Sequence, residues 1–161
     1  MQRLRLLALT AVASSSAFAP RAAAPLRPRA GARAFSGTTA KRVSEVSIGE
    51  AYQLVELGTT RFVDCRTTGE VAQSGAIAGA VCAVSHDKSM GGMDPRPDEF
   101  VAEVQAAGVG LDEDIVVCCA AGIRSIPAAM WLEEAGYKDV KSLESGMYGW
   151  AAAGLPVGPH A

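Results

Sequence analysis

The chain has 161 residues, 49% of them hydrophobic and 20% charged, with a net charge of −2, the profile of a globular protein with one domain and an appendage. Charge is unevenly placed: residues 1–40 hold six arginines and no acid, which leaves nine basic against 17 acidic side chains, a net of −8, in residues 41–161. So acidic a body argues against nucleic acid as partner, because phosphate contact needs clustered Lys and Arg, and no stretch reaches the ~20 apolar residues of a membrane span.

Residues 1–17 carry Arg3 and Arg5, an apolar run Leu6–Ala13 and then small residues, the layout of a secretory signal peptide. Residues 18–40 are rich in Arg, Ala and Ser and free of acid, a transit-peptide composition expected to be disordered. The junction SSSAFAP (Ser14–Pro20) resembles the motif at which algae with complex, secondary plastids cut a bipartite presequence, here between Ala17 and Phe18. That implies a plastid (chloroplast) stroma. A mitochondrial presequence is the alternative, since Arg-rich, acid-free segments suit both. Neither segment belongs to the fold, which spans residues 41–158.

From Val43 strands and helices alternate. VSEVSI (Val43–Ile48) is a short strand candidate. Ser47 then caps a helix with Glu50 three residues on, a capping box, and Gly58 stops it. RFVDC (Arg61–Cys65) and AVCAV (Ala80–Val84) read as short apolar strands. His86–Pro97 is full of Gly and Pro and is expected to be loop. Asp98 is the expected cap of a helix with an apolar stripe of Phe100, Val101 and Val104, ended by Gly108. DIVVCC (Asp114–Cys119) is a buried strand. The helix after it carries Pro127 in its first turn, where a missing N–H is tolerated, and stops at Gly136. DVKSL (Asp139–Leu143) is the last strand, before a short helix from Gly146. This alternation predicts an α/β fold: a central, mostly parallel sheet flanked by helices on both faces. Ligands of such sheets bind at the carboxyl ends of the strands, where Asp64 and Cys119 fall.

The segment Cys119–Ser125 carries the chemistry. Cys119 ends a buried strand, Ala120 and Ala121 have minimal side chains, and Gly122 tolerates positive φ. The chain therefore curls tightly with amide N–H groups turned inward, and the following helix adds its unpaired N–H groups and dipole. The product is an anion cradle formed by Ala120, Ala121, Gly122, Ile123 and Ser125 and closed by Arg124. A thiol held there is stabilised as the nucleophilic thiolate without a histidine partner. Four cysteines near apolar runs are too few for a disulfide scaffold and point to a reducing compartment. Strand alternation sends Cys118 to the opposite face as a core residue, and Cys82 reads as core. Cys65 either packs or, if its strand adjoins that of Cys119, resolves an oxidised sulfur.

These segments resemble the rhodanese (sulfurtransferase) homology domain. The resemblance rests on VVCCAAGIRS followed by WLEEAGYKDVKSLESGMYGW, and on FVDCRTTGEVAQSGAIAGA upstream. It covers about Val43 to Val157 and is strongest to single-domain plastid sulfurtransferases of plants. It implies a rhodanese-like five-stranded sheet, and Cys119 as an acceptor that takes a sulfane sulfur from thiosulfate or a persulfide. The sulfur then passes to a thiol or cyanide. By the same resemblance Asp64 and Arg66 support the neighbouring loops, with Glu70 in their network. The six residues from Cys119 to Arg124 suit sulfur, whereas related phosphatases of this fold have one more.

Partners are thus a small sulfur donor or a protein persulfide, with a thiol acceptor, acting on a monomer. No cofactor is expected. No metal is expected either, because His86, a solvated histidine on the rim, has no second ligand at the right spacing. Arg124 either faces the substrate or turns back to an acidic neighbour. Ser125 reads as the helix N-cap, with a reactive hydroxyl as the alternative. Met90 and Met93 belong to a flexible loop or line a substrate mouth. Ala76 stands where the family often has His, and Ser145 replaces the first of two common glycines. The active loop lacks a lysine, so thiosulfate is expected to bind poorly and a persulfide to be the better donor. A non-enzymatic module that binds a partner or senses redox state through Cys119 is the alternative function.

Overall fold

The apolar runs of the sequence become the middle of a parallel sheet. A computed structural model describes residues 43–158; the segments 1–17 and 18–40, their junction at Phe18, and His160 lie outside the described residues. In chain order the elements are β1 (Ser44–Val46), α1 (Ile48–Leu57), β2 (Arg61–Asp64), α2 (Thr68–Ser74), β3 (Val81–Cys82), β4 (His86–Ser89) and β5 (Gly92–Pro95). After them come α3 (Pro97–Ala106), β6 (Asp114–Cys118), α4 (Ser125–Glu134), β7 (Asp139–Leu143) and α5 (Gly146–Ala152). Five strands form one sheet in the order β1-β7-β6-β2-β3, and every pairing in it is parallel.

Side-chain alternation along the strands separates two cores. Val63, Ile115, Val117 and Val140 face one side and pack with Phe100 and Val104 of α3 and Ala128, Ala129 and Leu132 of α4. Phe62, Val116 and Leu143 face the other and pack with Ala51 of α1 and Met147 and Trp150 of α5. The helices thus cover both faces, as the alternating pattern predicts. Phe100, Leu132, Leu143 and Trp150 are fully buried, each contributing ~1.5–3 kcal/mol by leaving water. The predicted capping box of α1 is present: Ser47 Oγ accepts from Glu50 N–H, Glu50 accepts from Ser47 N–H, and Gly58 ends the helix at φ 63°. Among the described residues no helix is long and apolar enough to cross a membrane.

Two local expectations are corrected, and one helix is added to the predicted pattern. The stretch from His86 to Pro97 is not loop: β4 and β5 form an antiparallel hairpin pairing His86 with Pro95 and Ser89 with Gly92, closed by Met90 and Gly91. Its residues are mostly polar, so no apolar alternation marks it. The short helix α2 goes unannounced because Val71 is its one buried residue; its signal is the capping box between Thr67 and Glu70. Asp98 does not cap α3. The helix starts at Pro97 with no side-chain cap, Pro97 needing no partner for an N–H it lacks. Arg96, at the cap position, instead reaches Asp87 (3.1 Å), Glu103 (3.4 Å) and the Val84 carbonyl (3.3 Å).

Candidate active site

The carboxyl ends of β2 and β6 lie side by side near the middle of the sheet. Asp64 pairs with Cys118 in the ladder, and one step further the Cys65 N–H donates to the Cys118 carbonyl at 2.8 Å. Cys118 and Cys119 follow the alternation into opposite cores: Cys118 lies with Phe62, Val116 and Trp150, Cys119 with Val117 and Cys65. Burial pushes the Cys118 thiol well above its ordinary pKa.

After Cys118 the chain turns through a tight loop into α4. The loop's carbonyls are tied to the start of α5: Met147 N–H donates to the Cys119 carbonyl at 2.8 Å and Tyr148 N–H to that of Ala120 at 2.9 Å. Gly122 adopts φ 83°, as the curl requires. Gly146 lies so close that a Cβ there would sit 2.3 Å from the Cys119 carbonyl oxygen and 2.8 Å from the Gly122 nitrogen, distances that exclude any side chain. With the carbonyls held outward, the N–H groups of Ala121 and Ser125 face Cys119 Sγ.

Cys119 forms the floor of the resulting cleft and is held as thiolate, its pKa lowered to about 4. The largest cause is the Cys65 thiol, which donates to it; Ser125 and the N–H groups of Ser125 and Ala121 add to this and together outweigh burial. Cys65 carries the reciprocal cost. Its own thiol is raised well above the ordinary value, first by its bond to Cys119 and then by burial. Ser125 Oγ accepts from Ser142 Oγ at 2.9 Å, and its one proton is shared between the Gly122 carbonyl at 3.1 Å and Cys119 Sγ at 3.6 Å. Ser125 is therefore not the N-cap: it is the first helical residue, Arg124 occupies the cap position without a side-chain cap bond, and its hydroxyl serves the loop. Replacing Cys65 with Ala removes the first donor. Alkylation of Cys119 by iodoacetamide at pH 5 is expected to slow about ten-fold and to be unchanged above pH 9, while Cys65→Ser, which keeps an O–H donor, retains most of the rate.

The two alternatives for Arg124 resolve toward the acidic neighbour. Its Nη1 and Nη2 grip the two carboxylate oxygens of Glu70 at 3.0 and 2.5 Å. Glu70 Oε2 also accepts from Thr67 N–H and Oγ1 at 3.0 and 2.8 Å, and the Arg124 bond is the largest cause of a Glu70 pKa lowered to about 2. Arg124 thus lines the cleft with its charge already compensated. The Glu70 carboxylate bonds to neither Asp64 nor Arg66; Glu70 joins their network through its main-chain carbonyl, which accepts at 2.9 Å from Ser74 Oγ, itself an acceptor from Arg66. Asp64 and Arg66 pair with each other, Arg66 Nη2 to Asp64 Oδ2 at 2.7 Å and Nε to Oδ1 at 2.9 Å. Arg66 also donates to Ser74 Oγ at 2.7 Å and the Gly75 carbonyl at 2.6 Å. The pair ties the end of β2 to the end of α2 beneath the site.

The cleft measures about 720 Å³ and is lined by Thr67, Gly69, Glu70 and Gln73 from the α2 side, Lys88 and Met93 from the hairpin, the loop from Cys119 to Arg124 except Gly122, and Tyr148 from α5. His86 is corrected: it is buried, its Nδ1 2.8 Å from Ser85 Oγ and its ring 5.5 Å from that of Trp131. Its pKa is lowered, first by burial and then by the Arg124 charge. Cys82 is half-buried on β3 and not part of either core, its thiol pushed up mainly by burial. Of the methionines, Met93 reaches the cleft and Met90 is fully exposed at the turn. Ser142, Lys88, Gln73 and Tyr148 are site residues that sequence reasoning missed. Only Ser142 carried a signal, a hydroxyl inside an apolar strand.

Residues 47–153 match the rhodanese-like domain. The chain belongs to the rhodanese-like domain family. It is 36% identical over 113 residues to thiosulfate sulfurtransferase 16, chloroplastic, of Arabidopsis thaliana, covering 70% of this chain and 91% of that protein. Among solved structures it is similar to the human single-domain sulfurtransferase TSTD1, with a TM-score of 0.53 and 25% identity over 67% of this chain and 95% of the other. It is also similar to SseA of Escherichia coli, whose structure was described for the rhodanese fold and mechanism of 3-mercaptopyruvate sulfotransferases. There the TM-score is 0.57 at 25% identity, over 74% of this chain and 51% of the other. The five-stranded parallel sheet is the fold of this rhodanese-like domain.

Proposed function

We propose that this protein is a plastid sulfurtransferase that carries a sulfane sulfur on Cys119. Sulfurtransferase activity in general is supported by the family and by relatives that bear that name; the observation that carries the assignment to Cys119 is a thiolate at the cleft floor, ringed by converging donors. In the first half-reaction the thiolate attacks the outer sulfur of thiosulfate or of a persulfide. An S–S bond forms, the donor's own S–S bond breaks, and sulfite or a thiolate leaves with the electron pair. In the second, an acceptor thiolate or cyanide attacks the outer sulfur of the Cys119 persulfide, and Cys119 departs as thiolate. Both steps move negative charge along the line of attack. The N–H groups of Ala121 and Ser125 face that charge without reorganising, while Ala120, Ile123 and Tyr148 shape the wall. Asp64 and Arg66 support the site from below. A plastid location is supported by the chloroplastic relative and by the leading 40 residues.

A redox-sensing module is the second reading, and the Cys65 thiol against Cys119 favours it: hydrogen peroxide, reduced to water, would take two electrons from the pair as the Cys65 proton leaves and an S–S bond forms. Mass spectrometry of the intact protein after incubation with thiosulfate or a persulfide donor separates the readings. Sulfur transfer predicts a gain of one sulfur atom on Cys119, discharged by cyanide or a thiol. No gain with any donor, alongside a reversible Cys65–Cys119 disulfide, supports sensing instead.

A further inference from the structure

The β4–β5 hairpin presents two unlike faces. Residues 86 and 88 share one face with their cross-strand partners Pro95 and Met93, and Asp87 and Asp94 share the other. The inward face is anchored at its base, where His86 is buried between Ser85 and Trp131. The pleat therefore sends the next inward pair, Lys88 and Met93, over the cleft, and both line it. On the outward face Asp87 is engaged by Arg96 at 3.1 Å.

Charge in the cleft makes this placement matter. Its charged lining residues are Glu70, Lys88, Arg124 and the Cys119 thiolate. Arg124 and Glu70 cancel through their bidentate pair. Among the described residues Lys88 has no ion-pair partner, so its ammonium is the uncompensated cation among the side chains that line the cleft with Cys119. Without it an incoming anion would meet a lining of net charge −1; with it the net charge is zero. The remaining wall is apolar or neutral, with Met93, Ile123 and Tyr148 exposed on the rim.

We infer that Lys88 is the donor-recognition residue of this cleft, holding the anionic head of a sulfur donor such as a sulfonate while the donor's outer sulfur meets Cys119. This deepens the sulfurtransferase reading and rests on it. On this inference the hairpin supplies from elsewhere in the chain the lysine that the active loop lacks. In the half-reaction Lys88 neutralises charge on the departing sulfite; no proton moves to or from it.

The test uses two alkylating agents that differ in charge, so it needs no turnover. Iodoacetate is an anion and iodoacetamide is neutral, and the ratio of their rates at Cys119 reads the charge of the cleft around the sulfur. In the full-length protein, Lys88→Gln is expected to lower the iodoacetate-to-iodoacetamide ratio roughly five-fold. Lys88→Glu lowers it further, Lys88→Arg keeps it within roughly two-fold, and 1 M salt flattens the differences. Lys138→Gln, at the amino ends of the strands, leaves the ratio unchanged. With thiosulfate as donor, Lys88→Gln raises KM roughly five-fold with little change in kcat. With 2-hydroxyethyl persulfide, which has no charge off the transferred sulfur, KM stays constant. A ratio unmoved by Lys88→Gln overturns the inference whether or not sulfur is transferred. Absence of any Cys119 persulfide defeats the sulfurtransferase reading while the alkylation ratio still decides the role of Lys88.

Discussion

Cys119→Ser is expected to abolish sulfur loading and to lower turnover by at least about 10³-fold. A serine hydroxyl at this position stays protonated across the working pH range, so the cradle has no anion to present to the donor. The loop itself survives: its shape depends on main-chain bonds to Met147 and Tyr148 and on Gly122 and Gly146, none of which involves the sulfur. The matching control is Cys118→Ala. Cys118 is buried on the opposite side of the sheet, so its truncation is expected to cost about 1 kcal/mol of stability and to leave loading intact. Steady-state assays and intact mass on both variants check this; loading that survives in Cys119→Ser and disappears in Cys118→Ala would reverse the assignment.

Asp64→Ala is expected to destabilise the fold by ~3–5 kcal/mol, a large part of the ~5–15 kcal/mol that holds a typical domain together. Asp64 is 0% and Arg66 3% exposed, so solvent does little to screen the orphaned guanidinium. The loss also releases Ser74 and Gly75, which the same guanidinium holds, and loosens the β2 end where Cys65 supports Cys119. Denaturant unfolding measures the effect. The double variant Asp64→Ala with Arg66→Met, which removes both charges, is expected to recover part of the loss; a single-variant loss below about 1 kcal/mol would show the pair to be dispensable.

Local patterns in the sequence were enough to place the sheet, the helices on both faces, and the opposite orientations of Cys118 and Cys119, since period-2 alternation in a buried strand dictates side. The capping box at Ser47 and Glu50 was legible for the same reason: both ends of the interaction lie within one turn. What the sequence hid depends on distant residues meeting. Arg124 and Glu70 are 54 residues apart, so nothing local says that the guanidinium is already taken. The donation from Cys65 needs β2 to lie against β6 in a particular register. Lys88 reaches the cleft through a hairpin whose polar residues show no alternation, and His86 is buried by Trp131 from a helix 45 residues on. The cradle was readable as a backbone shape, while its charge balance was not, because that balance is set by residues from α2 and the hairpin.

The central claim is that main-chain and side-chain donors hold Cys119 as a thiolate, and its titration tests that most directly. The thiol's pKa is depressed, so the reactive form is present above the folded value and is lost as pH falls through it. The rate of iodoacetamide alkylation at Cys119, followed by peptide mass spectrometry from pH 3.5 to 10, is predicted to be half-maximal at about pH 4 and flat above about pH 6. A midpoint at the ordinary thiol value of about 8.5 would contradict the account.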